Sequence, residues 1–199
     1  MKILVAGSTG NTGARLVSEL RERGHQPVAL VRESSDTGSL PEGVELRQGD
    51  LTDLDQSVVE GCEVVIFAAG SGGDTSAEMT DKVDRDGAIA LIDIAEKSAV
   101  RRFVMLSSVG TENPDPDSDL AHYLQAKHDA DEHLKASSLE YAILRPVSLT
   151  DDGPTGSVIL GDEVDPKGKA ARRDVAVVLA DAAEQEAWAG AVRLMQTAY

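Results

Sequence analysis

Short apolar runs alternate along the chain with segments whose apolar residues recur every three to four positions. Lys2 to Ala6 (KILVA) is an unbroken run ended by glycine, and Asn11 to Arg23 carries Leu16, Val17 and Leu20 at helical spacing, so the chain opens as strand, turn, helix. The same alternation predicts strands at Pro27 to Val31 and Val44 to Arg47, a helix over Asp53 to Glu60, and a strand at Glu63 to Ala68 (EVVIFA). After a glycine-rich break at Gly70 to Gly73, a helix is expected from about Thr80 to Ser98, with Val83, Ile89, Ile92 and Ile94 as apolar positions, then a strand at Arg102 to Leu106. Pro114 and Pro116 mark Thr111 to Asp119 as a loop. A helix follows to about Ala136, then a strand at Tyr141 to Leu144 and a loop from Pro146. The remainder, Thr150 to Tyr199, holds one clear helix, Arg172 to Glu184, and a last strand at Val192 to Met195.

Runs such as VVIFA are apolar without alternation, which suits strands covered on both faces by helices. With the β-α alternation, this predicts an α/β fold, a Rossmann-like doubly wound parallel sheet with a short C-terminal cap over the carboxyl edge where ligands bind. No repeat and no Pro/Gly/Ser linker divides the sequence, so residues 1–199 read as a single domain.

Immediately after the first strand stands Gly7-Ser8-Thr9-Gly10-Asn11-Thr12-Gly13, opening straight into the helix. Glycines there allow a tight turn, close approach of a diphosphate and close packing of helix on strand, while the helix N-terminus favours an anion. All seven residues are candidates for holding a dinucleotide. Their spacing, G-x-x-G-x-x-G, is one residue longer than the ordinary dehydrogenase fingerprint. Where an NAD site carries an acid for the adenosine 2′-hydroxyl, this chain has Arg32, followed by Glu33, Ser34 and Ser35. A guanidinium pairs with a 2′-phosphate through two parallel hydrogen bonds, so NADP(H) is expected in preference to NAD(H). Asp50 and Leu51, after the third strand, are expected to meet the adenine. Ala68, Ala69 and Gly70, after the fourth, are expected to form a small-residue floor under a ribose.

Ser107 and Ser108 follow the fifth strand, and Tyr123 and Lys127 share one face of the next helix. A lysine ammonium beside a phenol stabilises the phenolate. Tyr123 can then exchange a proton with a carbonyl or alcohol oxygen while hydride moves to or from a nicotinamide. On this reading Ser108 orients that oxygen, Lys127 also holds the ribose hydroxyls, and Ser107 belongs to the cofactor side. His122, His128 and His133 read as surface residues, and no metal site is expected.

The chain carries 35 acidic against 19 basic residues, a formal net charge of -16, with no block of Lys/Arg that could neutralise a run of phosphates. Nucleic acid and anionic membrane are therefore excluded as expected partners, leaving a small-molecule substrate; a homodimer is left open. The acid excess, with lysine scarce, resembles the composition of proteins from salt-loving organisms. No apolar run approaches the roughly 20 residues that span a bilayer, and MKILVAG runs into a glycine turn instead of a cleavage site. The single cysteine, Cys62, cannot form an internal disulfide, so the cytoplasm is the expected compartment.

GSTGNTG, LVRESSD, GDL at Gly49 to Leu51, GCEVVIFAAG, SSVG, YLQAK, LRPVSLTDDGPTGSV and RRDVAVVLADAAE together span nearly the whole chain. Through them it resembles the short-chain dehydrogenase/reductase superfamily, and more narrowly the atypical, NAD(P)H-binding group related to biliverdin reductase B and the NmrA-like proteins. The resemblance implies that the loop after the sixth strand folds over the nicotinamide, with the backbone of Pro146, Val147 and Leu149 meeting the carboxamide. It favours an NADP-dependent oxidoreductase passing hydride to a small carbonyl-, quinone- or flavin-type acceptor. Two other readings stay open. One is an NADP(H)-binding redox sensor whose loops at Ser71 to Thr80 and Thr111 to Asp119 respond to the cofactor. The other is an epimerase-like enzyme acting on a sugar nucleotide, for which the C-terminal region is short.

Overall fold

A computed structural model of the chain describes residues 1–71 and 76–199. The first half runs β1 (Lys2–Ala6), α1 (Asn11–Glu22), β2 (Gln26–Val31), β3 (Glu45–Gln48), β4 (Val64–Phe67), α2 (Ala77–Thr80) and α3 (Ala88–Glu96). It continues through β5 (Arg102–Leu106), α4 (Ala121–Ala136), β6 (Glu140–Pro146), β7 (Ser148–Thr150), β8 (Val158–Leu160), β9 (Lys169–Ala171), α5 (Arg172–Glu184) and β10 (Ala191–Thr197). An 8-stranded sheet has the order β3-β2-β1-β4-β5-β6-β10-β8. Its pairs are parallel except for β8 against β10. β7 and β9 form a separate parallel pair. This is a Rossmann-like, doubly wound α/β fold.

Strand side chains point alternately to the two faces, and here both faces are dry. Ile3, Val5, Val64, Ile66, Val104 and Leu144 pack with Leu16, Val17 and Leu20 of α1 and with Val175 and Leu179 of α5. The intervening Leu4, Val65, Phe67, Phe103, Met105 and Ile143 pack on the other face with Leu91 and Ile92 of α3 and Leu134 of α4. That is why these strands read as unbroken apolar runs. At the amino end of β5 the buried Arg102 guanidinium donates to the carbonyls of Ala182 (3.1 Å) and Gln185 (2.9 Å) and pairs with Glu140, which ties the end of α5 to the sheet.

Four segments differ from the sequence expectation. The helix expected over Asp53 to Glu60 is a single 3₁₀ turn, Gln56–Val59. The Asp55 carboxylate accepts from the Ser57 N–H at 2.8 Å and starts it, and Gly61 at φ +72 redirects the chain just beyond. The helix expected from Thr80 begins at Ala77, where Ser76 supplies an N-cap, and passes through a π-helical stretch, Asp81–Gly87, before α3. β6 runs on to Pro146, and the loop expected there contains β7. The C-terminal region does more than cap: β10 lies parallel to β6 and β8 extends the edge. The Ser71 to Thr80 loop, named above for redox sensing, lies partly outside the described residues. Among the described residues no helix is long and apolar enough to cross a membrane.

Leu16, fully buried where α1 meets the sheet, and Leu46, 48% exposed on the edge strand β3, provide a direct contrast. Leu16→Ala is expected to lower unfolding free energy by about 2–5 kcal/mol in urea titration, and Leu46→Ala by less than about 0.5 kcal/mol.

Candidate functional site

The glycine turn after β1 is built by close approach. Gly7 has φ +78, and a Cβ on it would lie 2.6 Å from the backbone of Ala69 at the end of β4. A Cβ on Gly13 would lie 2.0 Å from the Gly7 carbonyl oxygen, so α1 packs directly on the turn. The Gly10 N–H closes the turn on the Gly7 carbonyl at 3.0 Å. The buried Ser8 hydroxyl donates to the Leu30 carbonyl at 2.9 Å and pins the turn to β2. Thr12 is buried, Thr9 half-buried, and Gly10 and Asn11 are exposed. α1 starts with no side-chain cap and no acid in its first turn.

Ala68 and Ala69 are half-buried and Gly70 is exposed. A Cβ on Gly70 would meet Asp84 Oδ1 at 3.2 Å. Asp84, in the π-helical stretch, is itself buried, accepts from the Ser71 N–H at 2.9 Å, and lies 3.3 Å from Lys127 Nζ. Lys127 also donates to the Leu106 carbonyl at 3.3 Å and stands 5.5 Å from the Tyr123 ring centroid. Burial opposes the charge on Lys127, but Tyr123, Asp84 and Asp131 outweigh it and hold its ammonium above the ordinary lysine range. Gly7, Ala69, Gly70, Asp84, Lys127 and Tyr123 thus form one chain of neighbours along the carboxyl ends of β1, β4 and β5.

The paired serines divide. Ser107 is buried, and its hydroxyl donates to Asp131 at 2.8 Å, within a cluster that Arg145 (3.0 Å from Asp131) and Thr111 complete. Ser108 is half-buried, its hydroxyl donating to the Val109 carbonyl at 3.3 Å. Arg32 is exposed at the end of β2, where Ser35 Oγ accepts from its backbone N–H at 3.0 Å. Asp50 is exposed; its Oδ1 accepts from both the N–H and the hydroxyl of Thr52, which with Arg32 nearby hold its carboxyl below the ordinary aspartate range. Leu51 is half-buried against Gly87, where a Cβ would lie 2.9 Å from the Leu51 carbonyl oxygen. Pro146 and Val147 are buried and Leu149 is exposed. The Pro146 carbonyl already accepts from the Val109 N–H, and the Val147 N–H already donates to the Met195 carbonyl, both at 3.0 Å. The three helix histidines make partners of their own: His122 with Asp81, His128 with the Thr111 carbonyl, His133 with Asp93.

The profile of a family described as NAD(P)H-binding matches residues 7–186, from the glycine turn to the residues beyond α5. The chain belongs to this NAD(P)H-binding family. It is 36% identical over 182 residues to the uncharacterized sugar epimerase YhfK of Bacillus subtilis, a match covering 88% of this chain and 85% of that one. A solved structure from Bacillus halodurans, provisionally named an NAD-dependent epimerase/dehydratase, superposes with a TM-score of 0.92 at 36% identity, covering 100% of this chain and 94% of that one. ChuY, an anaerobillin reductase from Escherichia coli O157:H7, superposes with a TM-score of 0.80 at 26% identity over 99% and 97% of the two chains.

The residues present fit the nucleotide this family binds. The turn at Gly7 to Gly13 is a backbone cradle that any larger side chain would fill, and the uncapped start of α1 suits a diphosphate. Two buried acids beside these residues, Asp84 and Asp131, are not foreseen in the sequence analysis. For Asp84 a signal existed: Thr80, Asp84, Gly87 and Leu91 follow helical spacing, so the acid falls on a buried stripe.

Gly13→Ala would drive a methyl group into the Gly7 carbonyl. It is expected to weaken NADPH binding at least about tenfold, or about 1.4 kcal/mol, in fluorescence titration. Gly10→Ala, whose Cβ would sit 3.3 Å from the same oxygen, is expected to cost less.

Proposed function

We propose that the protein is an NADPH-dependent reductase that passes hydride to a small carbonyl-, quinone- or flavin-type acceptor. The supporting observation is the chain of neighbours from Gly7 to Lys127, which joins a nucleotide cradle to a buried, charged lysine beside a tyrosine.

When bound, the nicotinamide supplies the hydride. The glycine turn binds the diphosphate, and exposed Arg32 binds the 2′-phosphate that distinguishes NADPH from NADH. Lys127 spends one of its ammonium donors on the Leu106 carbonyl and faces Asp84 with another, which leaves a donor for a ribose hydroxyl. Tyr123, with that ammonium beside its ring, gives its phenolic proton to the acceptor oxygen as hydride arrives, and Ser108 orients that oxygen. Ser107, whose hydroxyl donates to Asp131 and whose N–H donates to the Leu144 carbonyl, anchors the end of β5 on the cofactor side.

The reductase name of the Escherichia coli structure supports this reading. The epimerase names of the two Bacillus proteins favour a second one, rearrangement of a nucleotide sugar without net NADPH consumption. Against it, the residues after β7 are largely spent on β8, β9, α5 and β10, leaving short loops to enclose a sugar.

NADPH oxidation across aldehydes, ketones, quinones and flavins is expected to reveal an acceptor, with Tyr123→Phe lowering kcat at least about 100-fold while NADPH still binds. A nucleotide sugar interconverted with no NADPH consumed would favour the epimerase instead. NADPH binding with no turnover on any of these would point to a sensor. Arg32→Ala is expected to raise KM for NADPH at least about tenfold while leaving KM for NADH nearly unchanged; equal effects on both would remove Arg32 from the 2′-phosphate site.

A further inference from the structure

Asp84 is 1% exposed and Lys127 is 5% exposed, so each is a charge withdrawn from water that needs a partner. The two carboxylate oxygens of Asp84 do different things. Oδ2 accepts from the Ser71 N–H at 2.9 Å, in the loop that follows β4. Oδ1 makes no hydrogen bond among the described residues, lies 3.3 Å from Lys127 Nζ, and is the atom beneath Gly70 that a side chain there would meet. One turn earlier, Thr80 Oγ1 lies 3.1 Å from the Ser71 hydroxyl. Both contacts come from the segment that passes into the π-helical stretch Asp81–Gly87, a backbone form that is rare and concentrated at functional sites.

The charge balance around Lys127 singles out Asp84. From its own helix, Lys127 is faced by Tyr123 and Asp131; from the π-helical stretch, by Asp84; from β5, by the uncharged Leu106 carbonyl. Asp131 is already matched by Arg145 of β6, 3.0 Å away, and Arg145 in turn has Glu112 at 3.6 Å. Among the described residues, Asp84 is therefore the carboxylate left to balance the lysine.

We infer that Asp84 is a positioning residue of the NADPH site, holding the Lys127 ammonium with one oxygen and the loop after β4 with the other. The inference rests on the reading above that Lys127 contacts the cofactor. Burial works against the lysine charge, so without Asp84 the ammonium gives up its proton at lower pH, and a donor to the cofactor is lost with it.

NADPH affinity, measured by fluorescence titration between pH 7 and 9, tests this without turnover. The native protein is expected to change less than about twofold over that range, and Asp84→Asn, which keeps the shape but not the charge, to weaken about tenfold or more. Lys127→Met and the double variant Asp84→Asn/Lys127→Met are expected to bind more weakly than native, equally with each other, and independently of pH. Asp84→Asn binding like native at every pH, or a pH dependence that persists in the double variant, would overturn the inference. Native affinity in Lys127→Met would instead overturn the underlying placement of Lys127, and the inference with it. Melting curves cover loss of folding. The double variant is expected to recover at least about half of the Tm lost in Asp84→Asn, because it leaves no unbalanced buried charge. A double variant as unstable as Asp84→Asn would count against the pairing.

Discussion

Two stretches of backbone meet where β1 and β4 end, so close that a Cβ on Gly7 would lie 2.6 Å from Ala69. β1 lies between β2 and β4 in the sheet, and the chain leaves it toward β2 first and reaches β4 later, so the strand order reverses at this point. In doubly wound sheets a crevice opens outside the strand ends at such a reversal. Here the contact that closes the crevice floor also fixes its neighbours. It brings Gly70 over Asp84 and, through Asp84, sets the β4 loop against a lysine on α4. A side chain at Gly7 or Gly13 would push apart the elements from which the rest of the site is assembled.

The chain is strongly acidic, with a formal net charge of -16, yet its family binds a polyanion. The two facts are compatible because the charge is distributed unevenly. The first turn of α1 carries no acid, so its N–H groups and dipole are not opposed locally. Inside, Asp84 and Asp131 are balanced by Lys127 and Arg145, leaving no net charge among these buried groups. Global charge thus governs the outer surface, while the site depends on a few local pairings.

Elements bounded by sharp changes in composition were legible in the sequence. β1, β5 and α5 have the expected ends because apolar runs or helical periodicity stop abruptly there. The glycine turn was legible for the same reason, since its residues are local and their geometry is demanded by the strand-helix junction. β7, β8 and β9 were not, because each has 3 residues and takes its conformation from a partner distant in sequence. Asp53 to Glu60 looked helical but holds only Val58 and Val59 as buried residues, too little apolar surface to support several turns. Asp84 lay on a readable helical stripe, but its partner is on another helix, and periodicity carries no information about contacts between helices. Nor could adjacency alone separate Ser107 from Ser108, since that depends on the register in which β5 enters the sheet.

β6 is flanked by β5, made before it, and by β10, made well after it. Until β10 docks, one side of β6 is an open row of peptide groups. Thr197, at the end of β10, receives the Ala171 N–H and donates to the buried Asp174 of α5, so strand, helix and the intervening segment lock together in one step. Ribosomal synthesis therefore delivers every residue of the nucleotide cradle before the strand that closes this side of the sheet, and that ladder has to join Ala142 to Ala191 across the whole intervening stretch of chain.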